Sequence, residues 1–273
     1  MFKWRHFEPA IITCAVGWYL RFCLSYRDVE ELLTERGLPA DHTTIWRWGQ
    51  CYAPELDQRC RRELKPTNRS WRVDETYIRV KGKWAYLYRA VHSTGATIDF
   101  LLSAHRDAAA AKRFFQNALR VPGHPRPRII NLDGNPSYPK VVAELKAEGK
   151  LGRPCRCRTC PYLNNIVEQD HRAIKRRVNA SQGLRSFHGA RRTIQGYEAV
   201  HMIRKGQVRW LAKGDVVGLV LFINATLGLS AEQFTRAAKS TQFGLSTVFA
   251  AYPSIRMIYF DKGKTKTQLM PWL

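Results

Sequence analysis

Residues 71–91 read WRVDETYIRVKGKWAYLYRAV, and this stretch decides the fold. β-Branched and aromatic residues crowd both halves, and KGK at residues 81–83 separates them, so the stretch predicts two antiparallel strands joined by a tight turn. A second turn at Ser93–Gly95 and the run ATIDFLLS extend it to a three-strand meander. The two-residue strand period puts Asp74 on one face with Thr76, Ile78 and Val80. A carboxylate among such neighbours has to be neutralised, hydrogen-bonded or liganded to a metal, because a bare charge is costly to bury.

Working outward toward the C-terminus, helical spacing returns over Ala108–Leu119, AAAAKRFFQNAL. After the proline-rich loop VPGHPRP comes RIINLD, a short apolar strand whose last residue is Asp133; Asn135 and Pro136 then open a helix over Ser137–Glu148. A strand ending in Asp with a helix start directly after it places that carboxylate at the carboxyl end of the strand, where α/β folds do their chemistry. The stretch Tyr162–Val178, YLNNIVEQDHRAIKRRV, is again helical, with Leu163, Ile166, Val167, Ile174 and Val178 forming a core side. Glu168 stands at the border of that stripe. Lys175 lies two turns along at nearly the same angle, with His171 and Arg172 between them on one exposed strip.

On a lone helix such a strip is most often a solvated charged face. The upstream aspartates shift that weighting. If the fourth strand lies parallel beside the first, Asp74 and Asp133 become neighbours and Glu168 leans in from the covering helix, so that three carboxylates face one cleft. Carboxylate oxygens are hard ligands suited to Mg²⁺ or Mn²⁺, and two such ions can activate a hydroxyl nucleophile and stabilise the leaving oxygen of a phosphodiester. The nearby cations would hold a DNA backbone. The rival acids read as structural: Glu75 points to the opposite face of its strand from Asp74, Asp99 lies in the third strand, and Asp170 falls on a different part of the helix from Glu168.

Charge agrees with a polyanionic partner. The chain of 273 residues carries 45 Lys and Arg against 22 Asp and Glu, a formal charge of +23, with a pI near 10.1. That excess points to a polyanion, most often nucleic acid, and double-stranded DNA is the partner expected. A membrane surface is the competing polyanion, but the apolar stretch Val216–Leu229 is short and interrupted by Gly218, Asn224, Thr226 and Gly228, which reads as a buried segment. The first residues, MFKWRHFEP, do not resemble a signal peptide, so a cytoplasmic protein is expected. Seven cysteines, an odd number, then read as reduced thiols. Cys155, Cys157 and Cys160 in PCRCRTC lack a nearby fourth ligand and read as an exposed basic loop rather than a zinc site.

Toward the N-terminus the pattern is helical. Glu8–Phe22 forms a first helix starting near Pro9, and Ser25 with Asp28 caps a second that Gly37 closes. After LPAD, His42–Tyr52 forms a third, with Asp41 or Thr43 as cap. Two helices joined by a short turn in so basic a chain suggest a helix-turn-helix, with His42, Thr43, Thr44 and Arg47 facing DNA. Pro54–Pro66 reads as a further short helix and linker. The chain thus divides into a helix-turn-helix domain at 1–65, a catalytic domain at 66–205 and a C-terminal extension at 206–273 to which no role is assigned.

The order Asp74, 58 residues, Asp133, 34 residues, Glu168, with Lys175 seven positions later, resembles the DDE transposases of bacterial insertion sequences. The segments WRVDETYIRVKGKWAYLYRAV, DGNPSYP and YLNNIVEQDHRAIKRRV are similar to the insertion-sequence-six family, over about Phe2 to Gln207, roughly three quarters of the chain. Two positions depart from that pattern: His92 stands where the family tends to have Asp, and Gly134 where Lys is usual. The resemblance implies an α/β, RNase H-like mixed five-stranded sheet with flanking helices behind an N-terminal helix-turn-helix. It further implies metal ligation by Asp74, Asp133 and Glu168, contact of Lys175 with DNA near the cut, recognition of terminal inverted repeats, and replicative transposition through cointegrates by a homodimer at the bacterial nucleoid. A DNA-binding regulator that keeps the helix-turn-helix without chemistry is the rival reading, and a nuclease without strand transfer is the third.

Overall fold

A computed structural model of the chain describes residues 7–229 apart from Pro136 and Gly183. The runs STVFAAYPSIRMIYF and KGKTK, the expected helix-opening role of Pro136, and the start of the resemblance at Phe2 lie outside the described residues.

The N-terminal part is helical: α1 (Pro9–Arg21), α2 (Tyr26–Thr34) and α3 (His42–Arg62). Local chemistry sets their ends. Ser25 and Asp28 form a reciprocal capping box on α2, and Asp41 caps α3 by accepting the Thr43 and Thr44 N–H groups at 2.8 and 3.0 Å. The expected break after Tyr52 does not occur, and α3 runs straight through Pro54 to Arg62. Proline removes one main-chain donor. However, Trp48, Tyr52, Leu56 and Cys60 bury one stripe of α3, and that packing holds the helix together across the gap. The partner is α7 (Phe187–Arg204), which comes so close at Gly196 that a Cβ there would lie 2.6 Å from Ala53 Cβ and 2.7 Å from Leu20 Cδ2.

Five strands follow: β1 (Ser70–Val80), β2 (Lys83–His92), β3 (Thr97–Ser103), β4 (Ile129–Leu132) and β5 (Arg156–Thr159). Their order is β3-β2-β1-β4-β5, with the meander antiparallel and β4 and β5 parallel to β1. This is an α/β, RNase H-like mixed sheet. The basic loop expected at Cys155–Cys160 is a correction: Arg156–Thr159 pairs with β4 as the edge strand. All four of its residues are exposed, so no apolar alternation announces it, and charged side chains suit an unprotected sheet edge.

Helices cover both faces. Trp71, Val73, Tyr88 and Ile130 pack against Phe114 and Phe115 of α4 (Ala108–Arg120) and Val141 and Leu145 of α5 (Ser137–Ala147). On the other face Ile78, Val80, Ala85 and Leu87 share a core with Ile174 and Val178 of α6 (Pro161–Ala180), with α1, α3 and α7, and with Leu219, Phe222 and Ile223 of α8 (Val216–Thr226). The N-terminal helices and the stretch through Leu227 therefore belong to the same apolar core as the sheet. Among the described residues no helix is long and apolar enough to cross a membrane.

Candidate active site

The site exists because β4 is short. It pairs with β1 only over Ser70–Arg72, so from Asp74 until Leu184 bridges Val80 that edge of β1 has no neighbouring strand among the described residues. Asp74 turns along the free edge, and its Oδ1 accepts the Glu75 N–H at 2.8 Å. Asp133 emerges at the end of β4, where Gly134 takes φ +98°, a left-handed conformation that glycine adopts without strain. That turn brings the Asn135 N–H back onto Asp133 Oδ1 at 3.0 Å.

Carboxylate oxygens of Asp74, Glu75 and Asp133 come within 4.8 Å of one another. Asp74 and Asp133 meet as the strand order requires. Glu75 does not behave as strand alternation alone suggests: its carboxylate joins the cluster, where it accepts from Arg106 at 2.6 Å, from Asn135 Nδ2 at 3.0 Å and from the Tyr138 hydroxyl. The reason is again the missing neighbour at the edge, which lets side chains from both faces of β1 approach the Asp133 loop. Glu75 thereby ties that loop to the strand that carries Asp74.

Charge in the cluster is only partly compensated: Arg106 pairs with Glu75, and among the described residues no charged basic group pairs with Asp74 or Asp133. Burial, followed by the charges of Asp133 and Glu75, pushes the Asp74 carboxyl up to about 7. Arg89 stands opposite Asp74 in the β1–β2 ladder, but it is fully buried and directed elsewhere, with Nε 2.8 Å from Glu198 and Nη2 3.3 Å from Asp170. His171 Nε2 is 3.7 Å from Asp74 Oδ2. Burial, then the charges of Arg89 and Lys175, lower its imidazole to about 3, so it is neutral at physiological pH. A close, hard, anionic oxygen set whose one paired cation, Arg106, is held by Glu75 still leaves Asp74 and Asp133 oxygens that fit a divalent ion.

His171 thus departs from the expected DNA-facing strip. It is 5% exposed, because position 171 falls one turn after Val167 and one turn before Ile174, inside the buried stripe of α6. Asp170 is structural as expected. Burial alone would raise its carboxyl, but the hydrogen bond from His201 and the charges of Arg89 and Lys205 carry it well below the usual range. Asp99 is likewise structural, paired with Arg61 at 3.0 Å.

The start of α6 is fastened to the two site strands by a pair of asparagines that sequence reasoning overlooked. Buried Asn131 donates to Asn164 Oδ1 at 2.7 Å and to the Cys160 carbonyl at 2.9 Å, and Asn164 donates to the Val73 carbonyl at 3.4 Å. The only signal was a polar residue inside the apolar run IINL. Glu168 is exposed and lies outside the 4.8 Å cluster. In helical spacing it sits one turn after Asn164 and one turn before His171. Arg172 is exposed, and Lys175 places Nζ 4.3 Å from the centre of the Tyr77 ring.

At the N-terminal helices, His42 Nδ1 lies 2.9 Å from Glu30 Oε2. Both Thr43 and Thr44 hydroxyls donate to Asp41, while Arg47 is exposed. The three cysteines near β5 diverge: Cys155 is buried in the core, Cys157 is exposed, and Cys160 precedes α6.

Comparison with known proteins agrees with this geometry. The family model DDE_Tnp_IS240, described as a DDE domain, matches residues 68–207. The transposase for the insertion sequence-like element IS431mec of Staphylococcus aureus is 41% identical over 210 residues, covering 77% of this chain and 91% of the relative. The transposase for IS257 in transposon Tn4003, also from Staphylococcus aureus, shows the same identity and coverage. Among solved structures, the HTLV-2 integrase catalytic core domain in complex with magnesium, in its dimeric form, aligns at 18% identity and TM-score 0.41, covering 53% of this chain and 95% of that one. A simian T-cell lymphotropic virus intasome aligns at 17% identity and TM-score 0.38, covering 49% and 48%. The strand order, the paired aspartates and the matched relatives agree: this chain belongs to the DDE transposases of bacterial insertion sequences, in the insertion-sequence-six family.

Proposed function

We propose that Asp74, Asp133 and Glu168 hold two Mg²⁺ or Mn²⁺ ions and that the enzyme cuts and joins DNA at the ends of its own element. When bound, such ions supply activation of the attacking hydroxyl and stabilisation of the leaving oxygen. The chain's residues do the rest. Asn131 and Asn164 hold α6 against β1 and β4, and Glu168, on the same helix, swings in to Asp74 and Asp133 when the ions bind. Glu75 braces the Asp133 loop through Asn135 and Tyr138. Arg172 and Lys175 neutralise phosphates along the bound strand, and α2 and α3 act as a helix-turn-helix whose His42, Thr43, Thr44 and Arg47 meet the terminal inverted repeat. In the first step water attacks the phosphodiester and the 3′ oxygen leaves as a hydroxyl. In the second, that hydroxyl attacks target DNA, displaces a strand oxygen and leads to a cointegrate. The working unit is a homodimer at the bacterial nucleoid in the cytoplasm, pairing two ends, with residues 1–65 reading DNA and 66–205 carrying the chemistry.

The observation that supports this most is the approach of Asp74 and Asp133 at the free edge of β1, inside the span matched by the DDE family model. The test is strand cleavage and strand transfer with the full chain, Mg²⁺ and DNA bearing the element's ends. Joined product from wild type and none from Asp133→Asn or Glu168→Gln is the expected result. Sequence-specific binding with no metal-dependent nicking by wild type would leave a DNA-binding regulator instead, and nicking without joining would leave a nuclease.

A further inference from the structure

Beyond the end of β4, the outward face of the β1–β2 hairpin carries two large aromatic side chains that stay half exposed, Tyr77 at 56% and Trp84 at 50%. Their rings meet edge to face, with centroids 5.0 Å apart at 83°. Arg79 places its guanidinium carbon 4.8 Å from the Trp84 centroid, and Lys175 places Nζ 4.3 Å from the Tyr77 centroid. Lys175 belongs to α6 on the opposite face of the sheet, so it reaches Tyr77 around the free edge of β1. Glu75, Tyr77 and Arg79 share one face, and Trp84 stands directly across from Arg79. Tyr77 is therefore about 7 Å along the strand from Glu75 and the acidic cluster, or about two steps of a stacked DNA strand at 3.4 Å each.

Single exposed aromatics are ordinary. A contacting pair with a cation over each ring, two nucleotide steps from a phosphodiester-cutting cluster, calls for a ligand that offers both a flat π face and a phosphate. We propose that Tyr77 and Trp84, with Arg79 and Lys175, form a stacking platform for unpaired nucleotides of the strand being cut. Bases lie on the rings, while the two cations move from the rings to the adjoining phosphates. A protein partner would have to bring a carboxylate to each of Arg79 and Lys175 to bury them. The platform implies that the terminal base pairs of the element open when they enter the site. This inference rests on the proposed DNA-cutting function for its purpose, but its binding arm needs neither metal nor cleavage.

The experiment uses the full chain in EDTA with a short single-stranded oligothymidylate. Tyr77→Ala combined with Trp84→Ala is expected to weaken single-strand binding by about tenfold to a hundredfold, while Tyr77→Phe combined with Trp84→Phe, which keeps two rings, stays within about threefold of wild type. In Mg²⁺, the alanine pair should cut fully paired ends slowly and recover on ends whose terminal pairs are mismatched. Equal single-strand affinity for wild type and the alanine pair would overturn the platform. So would loss of self-association in the alanine pair with DNA binding untouched, which would make the patch a protein contact. If Asp133→Asn still cut DNA while the binding loss stood, the metal assignment would fail and the platform would survive.

Discussion

Asp74 and Arg89 face each other across the β1–β2 ladder, yet they serve opposite kinds of region. Arg89 sits in a buried network with Glu198, Asp170, His201 and Lys205 in which each acid has a basic neighbour within 3.3 Å. Asp74 sits among acids, with the nearest ring nitrogen 3.7 Å away and neutral. Balanced charge fastens α6 and α7 to the sheet. At the free edge Arg106 balances Glu75 alone, and Asp74 and Asp133 are left with excess negative charge. The Arg89 network is buried and the acidic edge only partly so, and what marks the site is the sign of the charge left over.

The largest expected effect lies on the balanced side. Arg89→Met leaves two buried carboxylates without their partner and should lower unfolding free energy by about 3–5 kcal/mol in urea titrations at neutral pH. A loss below about 1 kcal/mol would mean that Lys205 and His201 already suffice, and the contrast would weaken.

On the unbalanced side the sign reverses. The folded protein raises Asp74 from 3.8 to about 7, so it holds that proton more tightly than the unfolded chain. The contribution to stability is complete below the unfolded value and is lost as pH rises through about 7. Asp74→Asn should therefore stabilise the metal-free protein at about pH 8, by on the order of 2 kcal/mol. It should also reduce the pH dependence that wild type shows between about pH 4 and 7 in chemical denaturation, leaving the share of Asp57, which burial raises to about 6. Destabilisation by Asp74→Asn at that pH would show that the acidic edge is already compensated.

A smaller effect separates fastening from chemistry. Asn164→Ala leaves buried Asn131 short of an acceptor and should cost about 1–3 kcal/mol. Loosening of α6 over β1 and β4 should slow cleavage without changing affinity for duplex ends, which single-turnover kinetics beside gel-shift titration would resolve. Equal losses in both would place the asparagine pair in DNA binding.

Most of this contrast was readable where local pattern carries it. The meander, Asp74 inside a strand, Asp133 at a strand end and the amphipathic α6 all follow from period and turn chemistry in adjacent residues. What was not readable depends on partners far along the chain. The exposed run Arg156–Thr159 becomes a strand only because β4 offers its edge, and α3 passes Pro54 only because α7 packs against it. Glu75 joins the cluster because β4 stops early, a length that strand alternation in β1 does not encode. Glu198 meets Arg89 across 109 positions of sequence. Seen without those partners, His171 looked like part of an exposed cationic strip.

The most direct test of the metal-binding edge is a calorimetric titration of Mn²⁺ into the full chain at about pH 8 without DNA. Wild type and the surface control Glu144→Gln should bind the ion alike, while Asp74→Asn and Asp133→Asn should each lose at least about tenfold in affinity. Unchanged Mn²⁺ binding in both aspartate variants would contradict the assignment of the free edge of β1 as the metal centre.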